Sequence, residues 1–295
     1  MIEDNRLTSH RESEPEKKVL YVVATPIGNL NDISIRALNI LKNVSCIACE
    51  DTRNTGKLLK HFQISNKLIS FHQHNSFQKL DYLASKLKDG DSVALVTDAG
   101  MPLISDPGEI LVKKIRELNL DVVCIPGPCA ALTALVSSGI STSKFTFYGF
   151  LPKISKERSS ILMMISKSRF SSIVYESPKR IIRLLKELSI YCGGKRNIAL
   201  LKELTKKHEQ IFGRNIDDVL KKLDKVELKG EYTLVIAGNN EPMLNDLISN
   251  ESLRKDLIDL MKAGLSHSSA ANFLSKKSNK TKSEIYRLII KKDLE

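Results

Sequence analysis

Short runs rich in valine and isoleucine alternate with amphipathic segments along the first half of the chain. Five of these runs are bounded by turn residues, at 19–28, 44–50, 67–73, 92–100 and 121–128. Helical patterns lie between most of them, at 32–43, 78–90 and 109–119. Strands that alternate with helices of this length predict an α/β domain with a largely parallel sheet.

The second half of the chain predicts another α/β lobe and a helical end. Candidate strands lie at 144–150, 171–177, 197–204 and 231–238, with a helix at 178–191. We therefore expect a first lobe over 19–143, a second lobe over 144–240 and a linker over 238–250. Residues 1–18 are polar and lack the apolar segment of a signal peptide, which predicts a disordered tail.

Residues 251–295 show no strand pattern and predict a small C-terminal helical domain. Gly264 stands where the first helix would end, and Thr281 and Glu284 have the spacing of a capping box. Three short helices with basic flanks suit a helix-turn-helix-like module. They suit a packing or dimerisation appendage equally well, and the sequence leaves both interpretations open.

Positive charge is concentrated in one region of the 295-residue chain, whose formal net charge is +12. Residues 1–150 carry 17 lysines and arginines against 16 acidic residues, whereas residues 151–230 carry 19 against 9. This pattern favours a lobe that faces a polyanion, although a solvated lysine-rich surface is the alternative. No apolar run has the length of a membrane helix, and five scattered cysteines favour a reduced, cytoplasmic setting.

Four predicted strand ends carry similar chemistry. The segments TPIGN (25–29), EDTR (50–53), TDAGMPLISDPG (97–108) and IPGPCA (125–130) combine glycine, proline and carboxylates. Ligands of open α/β sheets bind at these carboxyl ends of the strands. The chain has neither a phosphate-binding P-loop motif nor G-x-G-x-x-G after its first strand. The segments therefore favour a ligand with hydroxyls, amines or positive charge over tight turns without a ligand.

Two other patterns are weak indications of a site. Cys46 and Cys49 form a C-x-x-C pair, but no second pair follows at zinc spacing, so we expect no metal. His72 and His74 share a predicted strand face, which is more typical of a surface or capping role.

Eight segments in a fixed order identify a resemblance over about residues 19–240. They are LYVVATPIGNL, IACEDTRNTGKLL, VTDAGMPLISDPG, CIPGPCAALTAL, FYGFLPK, VYESPKR, KELTKKHEQI and GEYTLVIAG. Together they resemble the ribosomal RNA small-subunit methyltransferase I branch of the tetrapyrrole-methylase superfamily. The resemblance implies a two-lobed α/β fold and methyl transfer from S-adenosyl-L-methionine to the ribose 2′-hydroxyl of a decoding-centre cytidine in 16S rRNA. It also implies a homodimer that acts on 16S rRNA or the small ribosomal subunit, with no membrane.

The resemblance and the charge pattern together predict two sets of binding residues. The cofactor would contact Pro26, Gly28, Asp98, Gly100, Met101, Ile104, Cys129, Ala130, Leu204 and Thr233. The RNA would contact Arg53, Lys153, Lys156, Arg158, Lys179 and Arg180. Gly100-Met101-Pro102 stands where the wider superfamily often has Gly-Asp-Pro. Contacts at Met101 would therefore be apolar or made by the backbone.

A ribose hydroxyl is a poor acid, so a carboxylate or a neutral lysine that accepts its proton would assist the transfer. Candidate bases are Asp51, Glu176 and Glu203, with Lys202 as a further possibility. Each carboxylate also has a basic neighbour with which it would form an ion pair, namely Arg53, Lys179 or Lys206. The sequence does not separate the two roles.

Two other functions fit parts of the pattern. A tetrapyrrole-type, small-molecule methyltransferase would share the fold, but its pocket does not require a basic second lobe. A non-enzymatic RNA-binding module would use the positive charge, but it needs no cleft of glycines and carboxylates.

Overall fold

The computed structural model describes residues 13–73, 75–153, 156–224, 227–239, 250–275, 278 and 280–288. The chain forms two compact units, Met1–Asn239 and Asn240–Glu295. Most of the predicted tail, His74 and nearly all of the predicted linker lie outside the described residues.

The first lobe contains one fully parallel sheet in the strand order β3-β2-β4-β1-β5. The strands are β1 (Val19–Val23), β2 (Cys46–Cys49), β3 (Leu68–Ser70), β4 (Val93–Val96) and β5 (Asp121–Ile125). The helices are α1 (Ile35–Asn43), α2 (Thr52–His61), α3 (Ser76–Lys88), α4 (Glu109–Glu117) and α5 (Ala130–Ser137). Neighbouring residues such as Leu20 and Tyr21 enter separate cores on the two faces, as expected for a covered parallel sheet. The predicted α/β class is confirmed.

The second lobe has a mixed sheet in the order β6-β7-β10-β8-β9. Its strands are β6 (Phe145–Phe150), β7 (Ser171–Glu176), β8 (Asn197–Lys202), β9 (Gln210–Asn215) and β10 (Tyr232–Ile236). Its helices are α6 (Lys156–Lys167), α7 (Ile181–Cys192) and α8 (Ile216–Leu223). Strand β10 runs antiparallel to both neighbours and β8 pairs antiparallel with β9, whereas β6 and β7 pair in parallel.

Helix α5 joins the cores of the two lobes. Its buried residues Ala131, Ala134 and Leu135 share one apolar cluster with Ile27 of the first lobe and Val235 of β10. Because α5 begins at Ala130, this packing holds its first turn beside the carboxyl ends of the first sheet. The two lobes therefore present their loops to one cleft.

The structure contains several elements that the sequence patterns did not predict. Strand β9 is an edge strand whose residues are exposed or half-buried, so it lacks a clear apolar alternation. Helix α2 begins inside a segment that we interpreted as a ligand loop, and α5 and α8 are short. Helices of eight to ten residues span too few turns to give a clear periodic signal, and α2 also has few apolar positions.

The C-terminal unit consists of α9 (Asn250–Lys262), α10 (His267–Ser275) and α11 (Lys282–Tyr286) around a small apolar core. Gly264 has φ +97° just after α9, which is the conformation expected of a residue that ends a helix. Thr281 and Glu284 form the predicted capping box at the start of α11. Within the described parts of the chain, no helix is long and apolar enough to span a bilayer.

A buried ion pair holds α6 against α7. Arg158 is 4% exposed, and its Nε and Nη2 donate to Glu187 Oε2 at 2.9 and 2.5 Å while its Nη1 donates to the Pro152 carbonyl at 2.8 Å. Burial acts to raise the pKa of Glu187, but the guanidinium groups of Arg158 and Arg183 outweigh it and lower that pKa. Arg158 was predicted to contact RNA, and its guanidinium is instead enclosed within the second lobe.

We expect Arg158→Ala to destabilise the protein by about 2 to 3 kcal/mol, because it leaves the carboxylate of Glu187 half-buried with one partner fewer. Lys156→Ala is the control, since this exposed side chain lies on the same helix. It should change stability by less than about 0.5 kcal/mol. Urea unfolding measures both free energies, and equal effects of the two substitutions would contradict a structural role for Arg158.

Candidate active site

Two backbone hydrogen bonds join the loops that follow β1 and β4. The Thr25 N–H donates to the Gly100 carbonyl at 2.9 Å, and the Gly100 N–H donates to the Thr25 carbonyl at 3.0 Å. Gly100 has φ +90°, a conformation that a residue with a side chain rarely adopts. Residues 26–28 and 98–101 are thereby held side by side at the carboxyl end of the sheet.

The first cavity lies between the lobes and has a volume of about 360 Å³. Several predicted cofactor contacts lie in its wall, namely Asp98, Gly100, Met101, Ile104, Cys129, Ala130 and Thr233. Most of the remaining lining consists of the loop residues Ser105 and Asp106 and the second-lobe residues Phe150, Tyr175, Glu176 and Tyr232. The cavity thus brings together segments that are far apart in the sequence.

Two buried polar atoms in this wall lack a hydrogen bond. They are Glu176 Oε2 and the Tyr232 hydroxyl, and both residues are at most 3% exposed. The other oxygen of Glu176 is satisfied, because it accepts from the Ser177 N–H at 2.7 Å and pairs with Arg180 Nη2 at 2.7 Å. Buried polar atoms are normally paired, so these two indicate a ligand that supplies a donor.

Three carboxylates gather where β2 and β4 end. Burial, together with the charge of Glu50, raises the pKa of Asp106 to about 6. Burial and the charge of Asp98 likewise raise the pKa of Glu50. No lysine or arginine is among the described residues that line the first cavity. The cavity therefore favours a ligand that brings positive charge.

A second cavity of about 350 Å³ lies on the other side of the joined loops. It shares four wall residues with the first cavity, namely Ile27, Asp98, Ala99 and Glu231. Its remaining wall consists of Pro26, Gly28, Leu30, Asn54, Thr55, Lys57, Leu58, Thr97 and Lys206. Pro26 and Gly28, which were predicted to contact the cofactor, line this cavity and not the first.

Gly28 allows a loop of the second lobe to come close. A Cβ atom at this position would lie 2.4 Å from Lys206 Cγ and 2.8 Å from Thr205 Oγ1. The neighbouring Asn29 N–H donates to Thr205 Oγ1 at 3.0 Å. Gly28 therefore permits contact between the lobes at the edge of the second cavity.

All three predicted bases form ion pairs, and Glu176 pairs with Arg180 and not with the predicted Lys179. Asp51 caps α2 and accepts from Arg53, whose hydrogen bonds lower the pKa of Asp51 to about 2. Glu203 Oε1 accepts from Lys206 Nζ at 3.0 Å and from the Glu231 N–H at 2.9 Å. Neither Asp51 nor Glu203 lines a cavity, whereas Glu176 lines the first.

The charge of Lys206 is fixed by its neighbours. Burial acts to lower its pKa, but Glu203 and Glu231 outweigh that effect and raise it. Lys206 is therefore a cation in the wall of the second cavity. Lys202, the other basic candidate, instead donates from Nζ to the Glu227 carbonyl at 3.2 Å.

The remaining predicted residues fall into three environments. Lys153, Lys156 and Lys179 are exposed on the second lobe. Arg53 is exposed but paired with Asp51, and Arg180 is paired with Glu176. Leu204 is buried in the cluster between the lobes and lines neither cavity.

Several wall residues were missed by the sequence patterns. Asn54, Lys57 and Leu58 belong to α2, which was not predicted. The sequence therefore did not show that these three residues line the same cavity. Tyr232 directly precedes the predicted Thr233 at the start of β10. Its place next to a predicted site residue was the sequence feature that could have identified it. Among the described residues, no group of three or more histidines, cysteines, aspartates or glutamates is arranged to hold a metal ion.

Known proteins match this chain in sequence and in fold. Residues 19–220 match the family model "Tetrapyrrole (Corrin/Porphyrin) Methylases". A protein of Synechocystis sp. named ribosomal RNA small subunit methyltransferase I is 42% identical over 92% of this chain and 96% of its own length. The protein of that name from Vibrio cholerae is 48% identical over 75% of this chain and 77% of its own length.

Solved structures share the fold at low sequence identity. Diphthine synthase matches 92% of this chain and 100% of its own, with a TM-score of 0.59 and 11% identity. Uroporphyrin-III-C-methyltransferase from Thermus thermophilus matches 75% of this chain and 94% of its own, with a TM-score of 0.54 and 15% identity. The predicted fold is confirmed, and the chain belongs to the ribosomal RNA small subunit methyltransferase I family of tetrapyrrole methylases.

Proposed function

We propose that this protein transfers a methyl group from S-adenosyl-L-methionine to the ribose 2′-hydroxyl of a decoding-centre cytidine in 16S rRNA. The observation that carries the proposal is the 42% identity, over 92% of the chain, to a relative named for small-subunit rRNA methylation. The charge pattern agrees with it, because residues 151–230 hold most of the excess positive charge. A cytoplasmic location, where ribosomes are assembled, accompanies this function.

Three observations support the first cavity as the binding site of the cofactor. Its carboxylates and its lack of a cationic wall residue suit a positively charged sulfonium. Glu176 Oε2 and the Tyr232 hydroxyl can bond amino and hydroxyl groups of the ligand. When bound, S-adenosylmethionine supplies a methyl group on a positively charged sulfur, which becomes a neutral thioether on transfer. We assign Asp98, Gly100, Met101, Ile104, Cys129, Ala130 and Thr233 to this site.

The decisive experiment follows the methyl group. The protein is incubated with S-adenosylmethionine that carries a radiolabelled methyl, and with small ribosomal subunits from a bacterial strain that lacks the modification. Label at the 2′-oxygen of one decoding-centre cytidine would support the proposal. Label on an added tetrapyrrole such as uroporphyrinogen III, and none on RNA, would instead support a small-molecule methyltransferase.

The charge of Asp106 generates a pH prediction. Its raised pKa means that the ligand-free protein takes up a proton near pH 6, whereas a bound sulfonium favours the ionised carboxylate. Affinity for S-adenosylmethionine should therefore rise about tenfold from pH 5 to pH 7. S-adenosylhomocysteine, which lacks the sulfonium charge, should show a much smaller rise.

Calorimetry at several pH values measures both affinities. Asp106→Asn should remove the difference between the two ligands, because the side chain no longer titrates. An identical pH dependence for both ligands in the wild-type protein would mean that Asp106 does not sense the sulfonium.

Exposed lysines of the second lobe are proposed to contact RNA phosphates. Lys153 and Lys156 lie on the surface at the start of α6. Neutralising both should reduce the slope of log affinity against log salt by about 1.5, since each phosphate contact contributes about 0.7 to 0.9. Lys88→Ala combined with Lys113→Ala is the matched control, because both of these lysines are exposed on the first lobe.

Filter binding to 16S rRNA from about 50 to 200 mM salt gives the slopes. The control pair should keep the wild-type slope. If both double variants reduce it equally, the contact is a general effect of net charge and not one of the second lobe.

A homodimer is also proposed, and the exposed face of α5 is the suitable surface. The α5 residues Leu132 and Val136 are 49% and 72% exposed. They are four residues apart, so they share one face of the helix. An exposed apolar helix face suits a symmetric contact with a second copy.

Val136→Asp should shift the protein from dimer to monomer, because it places a charge in the apolar contact. Ile190→Asp is the control, since Ile190 is similarly exposed, at 81%, on α7 of the second lobe. Sedimentation velocity reports the mass of each variant. A Val136→Asp variant that remains dimeric would exclude this face.

A further inference from the structure

We propose that the second cavity receives the nucleotide to be methylated, and that Asp98 accepts the proton of its hydroxyl. This inference rests on the proposed function and assigns its acceptor site. It begins from the common wall: Ile27, Asp98, Ala99 and Glu231 face both cavities. A methyl donor in one cavity and an acceptor in the other would meet at this wall, which in-line transfer requires.

The two cavities differ in the charged residues of their walls. The first gathers carboxylates and has no lysine or arginine in its described wall. The second adds two lysines, Lys57 in the middle of α2 and Lys206 of the second lobe, to the shared carboxylates Asp98 and Glu231. Lysine side chains attract anionic groups such as phosphates. The second cavity therefore suits a nucleotide, whereas the first suits a sulfonium.

Two buried hydroxyls provide an independent indication of a ligand. Thr55 and Thr97 are 3% and 2% exposed, and their Oγ1 atoms make no hydrogen bond of normal length and angle. Both residues line the second cavity. The polar side chains with which they interact are Cys49 for Thr55 and Asp106 for Thr97, so a ligand that bonds either hydroxyl with good geometry gains affinity.

The cavity also offers apolar surface for a base. Ile27, Leu30 and Leu58 line it beside the polar groups. A planar base can lie against such side chains while its phosphate reaches a lysine, and unstacked bases of RNA are recognised in this way. The mixed wall thus matches the parts of one nucleotide.

Asp98 is held in place without an ion pair to any described residue. Its Oδ2 accepts from Asn54 Nδ2 at 2.8 Å, and its Oδ1 accepts from the Asp51 N–H at 3.3 Å. Each carboxylate oxygen can accept a further hydrogen bond. By contrast, Glu231, the other carboxylate of the common wall, pairs through Oε2 with Lys206 Nζ at 3.0 Å. Asp98 is therefore the carboxylate of the common wall that is best suited to accept a proton.

The proposed step balances as a simple displacement. The ribose oxygen forms a bond to the methyl carbon, and the carbon–sulfur bond breaks with its electron pair remaining on sulfur. The hydroxyl proton passes to the Asp98 carboxylate and then to solvent. No oxidant, reductant or metal is needed.

Asp98→Asn tests the proton transfer, because the amide keeps the size of the side chain but is a far weaker base. With saturating S-adenosylmethionine and unmethylated small subunits, its single-turnover rate should fall at least about a hundredfold. Affinities for cofactor and subunits should change less than tenfold.

Two further substitutions test the cavity. Lys57→Ala should weaken subunit binding several-fold while it leaves cofactor affinity unchanged, whereas Lys60→Ala, an exposed lysine of the same helix outside the wall, should behave as the wild type. Thr55→Val should likewise weaken subunit binding without loss of stability in urea. A hydroxyl with only a structural role would give no effect on binding.

The outcomes separate this inference from the function on which it rests. If the wild-type protein does not methylate small subunits, the proposed function fails. If it methylates them and Asp98→Asn keeps its rate within threefold, Asp98 does not accept the proton. If Asp98→Asn loses cofactor affinity as much as rate, Asp98 belongs to the cofactor site alone. If Lys57→Ala and Thr55→Val both bind subunits normally, the nucleotide lies elsewhere.

Discussion

The pair of backbone hydrogen bonds between Thr25 and Gly100 determines the geometry of the whole cleft. These bonds join two loops that leave the neighbouring strands β1 and β4. Because the joint is made by main-chain atoms, it does not depend on the side chains that face the ligands. The same wall, formed by Ile27, Asp98 and Ala99, can therefore bound one cavity on each side. Two ligands can then approach each other without either losing its own binding groups.

Backbone strain is concentrated in the loops on both sides of this wall. Leu103 and Ser105 have φ +72° and +69° in the first lobe, and Glu203 and Thr205 have φ +55° and +64° in the second. Such conformations are unfavourable by about 1 to 3 kcal/mol each, and they persist where the surroundings hold them. Here the two sheets and the Thr205 contact to Asn29 supply that support. The rigid strands thus position loops whose conformations the isolated segments would not adopt.

The sequence predicted the elements that depend on local patterns. Apolar runs located nine of the ten strands in the described part of the chain, and glycine- and carboxylate-rich strand ends indicated the first cavity. Two other features depend on tertiary packing. The second cavity is assembled from separated segments, and α2, which contributes Asn54 and Lys57, has too few apolar positions to be recognised. Arg158 resembles any surface arginine in sequence, and only the packing of α6 on α7 shows that Glu187 encloses it.

Charge separation connects the fold to the proposed turnover. The first lobe has nearly equal numbers of acidic and basic residues, yet Glu50, Asp98 and Asp106 gather at the end of its sheet. Their mutual repulsion disfavours the empty cavity when all are ionised, and a sulfonium relieves it. Transfer of the methyl group leaves the sulfur neutral, so the repulsion returns in the product complex. The arrangement that favours binding of the donor therefore also favours release of the spent cofactor.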